Sequence, residues 1–306
     1  MPDIRNTQRF IRKMVQLENI YQRDIRRVQN EARRSMLDIL TRNGINYTTS
    51  RLLRNEIDTV GRSAAKIGRD ITTSVDDTVI KNLDLQMKEL KKVGEDVVET
   101  SQIIAVTQPA RMQVYQTTLQ EIPQWVNDMA QSMDINMTRL IVAGAPIEQA
   151  IDRLFSVSIA DGRASVWRLS NAAMERQTSN LSWIASMLAS TIVYNQMQSM
   201  TQTVYKKQAI ATVDEKTTDC CLRVHGQIQP LDKPFHLVGE PRFADKIDNP
   251  PFHWYCRTAQ ALYTERMESR GVPTSEMVIA ARAELRAREE TGKRTIIRPS
   301  SATSKR

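Results

Sequence analysis

The 306-residue chain is 41% hydrophobic but only 5% aromatic, with 14 Met, 10 Gly and 11 Pro. That balance argues against a β-rich fold, which draws on aromatic and β-branched residues and on frequent Gly or Pro turns. No run of about 18 apolar residues occurs, so no membrane-spanning helix is expected, and the scattered charge of MPDIRNTQRFIRKM does not read as a secretory signal. The formal charge of +8 is concentrated at the two ends, since residues 1–43 and 266–306 each hold ten Lys/Arg against five Asp/Glu, leaving −2 for the stretch between them.

From Arg5 to Asn43 apolar residues recur three or four apart at Phe10, Met14, Leu17, Tyr21, Ile25, Val28, Ala32, Met36 and Ile39. This spacing predicts one long amphipathic helix. A second helix begins with Thr49 or Ser50 as N-cap and runs, interrupted by Gly61, Gly68 and Gly94, to about Ala105. Pro109 and Pro123 then read as punctuation. AGAPIEQAIDRLF starts a short helix with Pro146 and Glu148 in its first turn. Arg163 to Lys207 carries no breaker and reads as one or two long helices, with Trp167, Leu181, Ile184, Leu188, Ile192 and Val193 turned inward.

The texture changes at Lys207. Two β-like pieces, AIATVD and RTAQALY, flank EKTTDCCLRVHGQI and a Pro/Gly/Asp-rich loop from Pro230 to Pro251. All three Cys and all three His fall between Cys220 and Cys256. Beyond Tyr263, Thr274 or Ser275 caps a charged helix that stops at Gly292, followed by a basic tail. The fold class is therefore mainly α: an extended helical N-terminal region, a small α+β module containing the Cys and His residues, and a basic C-terminal helix and tail. The corresponding divisions are 1–155, 156–263 with the module at 207–263, and 264–306.

Three chemistries fit the cluster. Cys221 and His225 lie four apart and His253 and Cys256 three apart, so the two pairs could supply a tetrahedral Cys2His2 set for zinc. Cys221 and Cys256 could instead pair as a disulfide or pack as buried free thiols, and too few cysteines are present for a disulfide framework. A nucleophilic Cys221 with His253 as base lacks a Gly-rich oxyanion turn, and its orienting residue could be Asp214, Asp219 or Asn249. Phosphate-loop and dinucleotide fingerprints are absent.

ATVDEKTTDCCLRVHGQI followed by PPFHWYCRT resembles the C-terminal signature of the phage Mu F-like minor head proteins, the head morphogenesis family of tailed bacteriophages. The residues that carry the likeness are Asp214, Lys216, Thr217, Cys221, Gly226, Pro250, Pro251, His253, Cys256 and Arg257. Thr218 and Thr258 stand where some members have further cysteines, which leaves His225, His253 or Cys220 as substitutes. The resemblance implies a non-enzymatic structural protein with no cofactor unless the module takes zinc. It would act in the host cytoplasm during assembly, away from membranes, and then in the virion interior near the portal vertex. Its implied partners are the portal protein, phage genomic DNA, and scaffold or major capsid protein. The basic ends suggest Arg5, Arg9, Arg12, Lys13, Lys293, Arg294, Arg298, Lys305 and Arg306 as contacts to DNA phosphates. The competing expectation is a zinc- or thiol-dependent hydrolase or nuclease using Cys221, His253 and Cys256.

Overall fold

The structure, a computed structural model, describes residues 4–156, 164–212, 217–236, 246–253, 255–268 and 274–291. Helices dominate it, as the composition requires. α1 (Ile4–Asn43) buries Phe10, Met14, Leu17, Tyr21, Ile25, Ala32, Met36 and Leu40 along one stripe. The stripe drifts from the expected one in that Gln29 and Leu40 are buried where Val28 and Ile39 are only half-buried.

α2 (Tyr47–Lys92) is capped by Asn46 and not by Thr49 or Ser50. Asn46 Oδ1 accepts the Thr49 N–H at 2.9 Å and the Thr49 hydroxyl at 3.2 Å. The helix stops well before Ala105 because Gly94, at φ +79°, turns the chain, and the Gly94 and Glu95 N–H groups close back on Lys91 and Leu90. α3 (Thr100–Leu119) passes through Pro109 without ending there. Pro109 and Ala105 are both exposed, so water can serve the carbonyl that the proline leaves without a partner. α4 (Glu121–Val142) accommodates Pro123 in its first turn, where no intrahelical N–H bond is lost. α5 (Ile147–Phe155) follows Pro146, and α6 (Val166–Met200) completes the long helices.

The chain divides into two compact units at places other than 155 and 263. One comprises Glu18–Thr72 and Gln116–Ser179, the other Met1–Leu17, Thr73–Tyr115 and Asn180–Arg306. The physical reason is helix length: α1 and α2, at 40 and 46 residues, run for roughly 60–70 Å and outlast a single core.

In the first unit, Phe155 and Trp167 pack with ring centroids 6.3 Å apart, and Arg33 donates from Nε and Nη2 to the Phe155 carbonyl at 3.0 and 2.9 Å. The Trp125 indole N–H bonds the Ser170 carbonyl at 3.0 Å. Gly61 allows α2 to approach α4 closely, since a Cβ there would lie 2.8 and 3.0 Å from the two γ-methyls of Val126. Valine cannot swing away easily. Gly61→Ala is therefore expected to cost about 1–3 kcal/mol, although the same change on an open helix face gains about 1 kcal/mol. Urea unfolding of Gly61→Ala and of Gly61→Ala/Val126→Ala tests this: the second change should recover part of the loss, and undiminished loss would rule out the clash.

The second unit contains the sheet. β1 (Lys206–Ala211) lies between β2 (Ile228–Pro230) and β5 (Thr258–Tyr263), antiparallel to both, with Lys206 opposite Tyr263 and Ala211 opposite Thr258. β3 (Phe235–His236) and β4 (Lys246–Ile247) form a separate two-stranded ladder. One apolar cluster joins the sheet to the helices through Leu83, Met87, Leu90, Ile103, Val193, Met197 and Leu262. Gln86 from α2 receives the Leu262 N–H on edge strand β5 at 2.9 Å, and Gln260 reaches α6 at the Met187 carbonyl and the Thr191 hydroxyl. The other cluster contains Ala209, Ala211, Phe235, Phe252 and all three cysteines.

Candidate functional site

The second cluster is built by three short segments laid against β1. α7 (Asp219–Val224) places Cys220 and Cys221 in its first turn, after Thr218 in extended conformation at the N-cap position. Gly226, at φ +83°, then turns the chain so that its N–H meets the Ala209 carbonyl at 2.8 Å, a backbone angle that a side chain would strain. On the other side, Lys207 is buried and donates to the Asp248 carbonyl at 2.6 Å, fixing the loop that leads into Pro250, Pro251 and Phe252. Burial lowers the pKa of this lysine. The Pro250–Pro251 peptide is cis.

His253 and Cys256 are brought to one side by a tight turn. The Cys256 N–H bonds the His253 carbonyl at 3.2 Å, and Tyr255 adopts φ +61°. A left-handed conformation costs a non-glycine residue about 1–2 kcal/mol and persists only where the surroundings enforce it. Here the Tyr255 N–H is held by Oδ1 of buried Asn180, from α6, at 3.1 Å.

The donor atoms converge tightly. Cys221 Sγ lies 3.0 Å from His253 Nε2 and 3.6 Å from Cys256 Sγ. The donor atoms of Cys220, Cys221 and His253 all fall within 4.8 Å of one another. The Thr218 hydroxyl sits 2.7 Å from His253 Nε2 and 3.1 Å from Cys220 Sγ. All three cysteines are free thiols and buried, Cys221 at 1% and Cys256 at 0% exposure. Burial opposes ionising Cys256, but a hydrogen bond with Cys221 and the charge of His253 outweigh it and hold that thiol well below its ordinary range. Burial likewise opposes charging His253, yet the neighbouring Cys256 and Cys220 sulfurs raise it to about 11. Burial keeps Cys221 protonated.

α8 (Thr274–Thr291) braces this assembly. Its buried Arg288 donates through Nη1 to the Thr217 carbonyl and, at 3.2 Å, to Asp219 Oδ1, while Nε holds Glu284 at 2.9 Å. The C-terminal helix thus belongs to the module and is not a separate basic appendage, since its arginine serves the approach to α7.

His225 does not join the donor group, which corrects the Cys221, His225, His253, Cys256 set. Its Nδ1 accepts the Ala211 N–H at 2.9 Å, so the ring completes the β1 backbone, and Cys220 stands in its place beside the other donors. The sequence spacing favoured residues four apart; adjacent Cys220 was considered only as a substitute. Burial lowers the His225 pKa from 6.5 to about 4. The folded state therefore keeps the ring neutral, and the stability this contributes is full above pH 6.5 and lost as pH falls towards about 4, amounting to roughly 3 kcal/mol. Denaturant midpoints measured between those pH values should fall less steeply in His225→Asn, whose amide oxygen can still accept the Ala211 N–H; parallel curves would exclude His225 as the cause.

Of the other expected residues, the Thr217 hydroxyl donates to the Thr212 carbonyl, and the Arg257 carbonyl accepts from the Thr212 hydroxyl at 3.4 Å. Asp214 and Lys216 lie outside the described residues. Arg9, Arg12 and Lys13 are exposed on α1. The side chain of Arg5, and Lys293, Arg294, Arg298, Lys305 and Arg306, lie outside the described residues. Thr218, Asn180, Tyr255 and Arg288 were not singled out as site residues, and only the clustering of Cys and His could have pointed towards them. Comparison with protein-family models, with curated proteins and with solved structures finds no match.

The donor set fits zinc chemically. Four-coordinate zinc with sulfur ligands at about 2.3 Å separates two sulfurs by roughly 3.8 Å, close to the 3.6 Å between Cys221 and Cys256. Soft thiols with one imidazole suit zinc and exclude a magnesium or calcium site. Among the described residues, no helix is long and apolar enough to cross a membrane.

Proposed function

We propose that the chain is a structural minor head protein of a tailed bacteriophage, bound to the portal inside the capsid, where it assists procapsid assembly and DNA packaging or ejection without catalysing a reaction. The observation that supports this most is the use to which the signature residues are put. Thr217, Cys221, Gly226, Pro250, Pro251, His253 and Cys256 lie in one small module and act as turns, buried packing and hydrogen bonds. Long helices provide an extended face for a helical ring partner.

Co-expression with the portal protein of the same genome, followed by size-exclusion chromatography with mass determination, tests the reading. Co-elution at a defined low ratio is expected, and separate elution would remove its central partner. DNA contact through the exposed Arg9, Arg12 and Lys13 predicts that replacing all three with Ala weakens nonspecific DNA binding and flattens its salt dependence by about 0.9 per lost phosphate contact. An unchanged slope would exclude these residues as phosphate contacts.

The second reading, a thiol- or zinc-dependent hydrolase or nuclease, is favoured by the 3.0 Å contact of Cys221 Sγ with His253 Nε2. Against it, Cys221 and Cys256 are closed to an approaching substrate. His253→Ala separates the two: loss of a turnover activity with the fold intact supports the enzyme, and loss of folding or assembly supports the structural module.

A further inference from the structure

The geometry points to a structural metal centre in which Cys220, Cys221, Cys256 and His253 together hold one thiophilic divalent ion, zinc by chemistry. This goes beyond the head-protein reading and does not depend on it, because it concerns only what the isolated chain binds.

Three observations carry it. First, the chain has three cysteines, and they converge although they come from segments some 35 residues apart: the Cys220 and Cys221 sulfurs lie with a His253 nitrogen within 4.8 Å of one another, and Cys256 Sγ lies 3.6 Å from Cys221 Sγ. Plain thiol packing needs only apolar neighbours, whereas here His253 Nε2 is directed at Cys221 Sγ and the Thr218 hydroxyl. Second, the set is closed: four protein donors of soft S/N type, two of them fully buried, match the tetrahedral composition of structural zinc sites and leave no ligand position open for a substrate. The Thr218 hydroxyl, 3.1 Å from Cys220 Sγ, is placed to donate to a thiolate, as outer partners of metal ligands do. Third, the outer strands beside the cluster are short. β2 has three residues and β3 and β4 two each, and small modules of this kind gain their cohesion from metal binding. The left-handed Tyr255 that brings His253 and Cys256 together is a local cost that such a tie would offset. Binding replaces the thiol protons with the ion and releases them to solvent, so the site weakens as pH falls.

The test uses the full chain, expressed with zinc in the medium and purified under reducing conditions without chelator. Elemental analysis is expected to give about one zinc per chain, and exchange with Co2+ to give tetrahedral d–d absorption together with thiolate-to-cobalt charge transfer. Cys220→Ser and Cys256→Ser should each lower affinity by more than about tenfold, while His225→Asn keeps both the stoichiometry and the spectrum. Because a serine variant could fail to fold, His253→Cys serves as a second probe, in which retained binding with stronger charge transfer is expected. A folded, reduced, metal-free wild-type chain that takes up no Co2+ would overturn the proposal. So would metal that persists unchanged in the folded Cys220→Ser and Cys256→Ser variants, since the ion would then sit elsewhere. Neither result bears on portal binding, so the two readings fail independently.

Discussion

Arg111→Ala is expected to destabilise the unit containing the sheet by about 3–5 kcal/mol, the cost of leaving a buried charge without its partner. Arg111, on α3, has a side chain only 1% exposed; Nε donates to Asp76 Oδ1 at 2.8 Å, and Nη1 reaches the Ile104 carbonyl at 3.1 Å and the Thr107 hydroxyl. Tyr115 donates its hydroxyl to the same Asp76 oxygen at 2.8 Å, and burial, followed by the Asp76 charge, raises the tyrosine pKa. Removing the guanidinium strips the carboxylate, whose side chain is only 14% exposed, of its counter-charge. Chemical denaturation of Arg111→Ala, Asp76→Ala and the double variant reads this directly. The double variant should lose much less than the sum of the singles, because the stranded carboxylate accounts for much of the penalty. Additive losses would mean that the pair does not act as a unit.

Trp183→Ala should be comparably severe, at about 3–5 kcal/mol, through the cavity it leaves. Trp183 is completely buried on α6, in a stretch where Ala185, Met187 and Ala189 are also at 0% exposure. Trp183→Phe should retain most of the stability, and a thermal melt that shifts equally for both variants would show that the site collapses around any smaller residue. The inward face proposed from spacing holds for Trp167, Leu181 and Val193, but Ile184 and Ile192 are half-buried and Leu188 is 39% exposed. Small serines at 182, 186 and 190 let neighbours close on the opposite side of α6, so residues 181–190 are enclosed nearly all round and the most exposed of them is Leu188.

This is where sequence stopped being informative. Period and composition determined that the chain is mainly helical, that α1 is one unbroken amphipathic helix, and that a small Cys/His module follows the long helices, because local spacing decides which residues share a face. Periodicity does not say what covers that face. Only tertiary structure decided that Gly61 marks a close approach of α4, that Arg111 is a buried partner of Asp76, and that Arg288 from the charged C-terminal helix reaches Thr217 and Asp219. The same limit applies at the cluster. Spacing four and three apart nominated His225 with His253 and Cys256, but His225 turns to the β1 backbone and Cys220 takes the place beside Cys221. His225 turns inward to accept the Ala211 N–H across the module, a contact between residues 14 apart in sequence that no local pattern encodes.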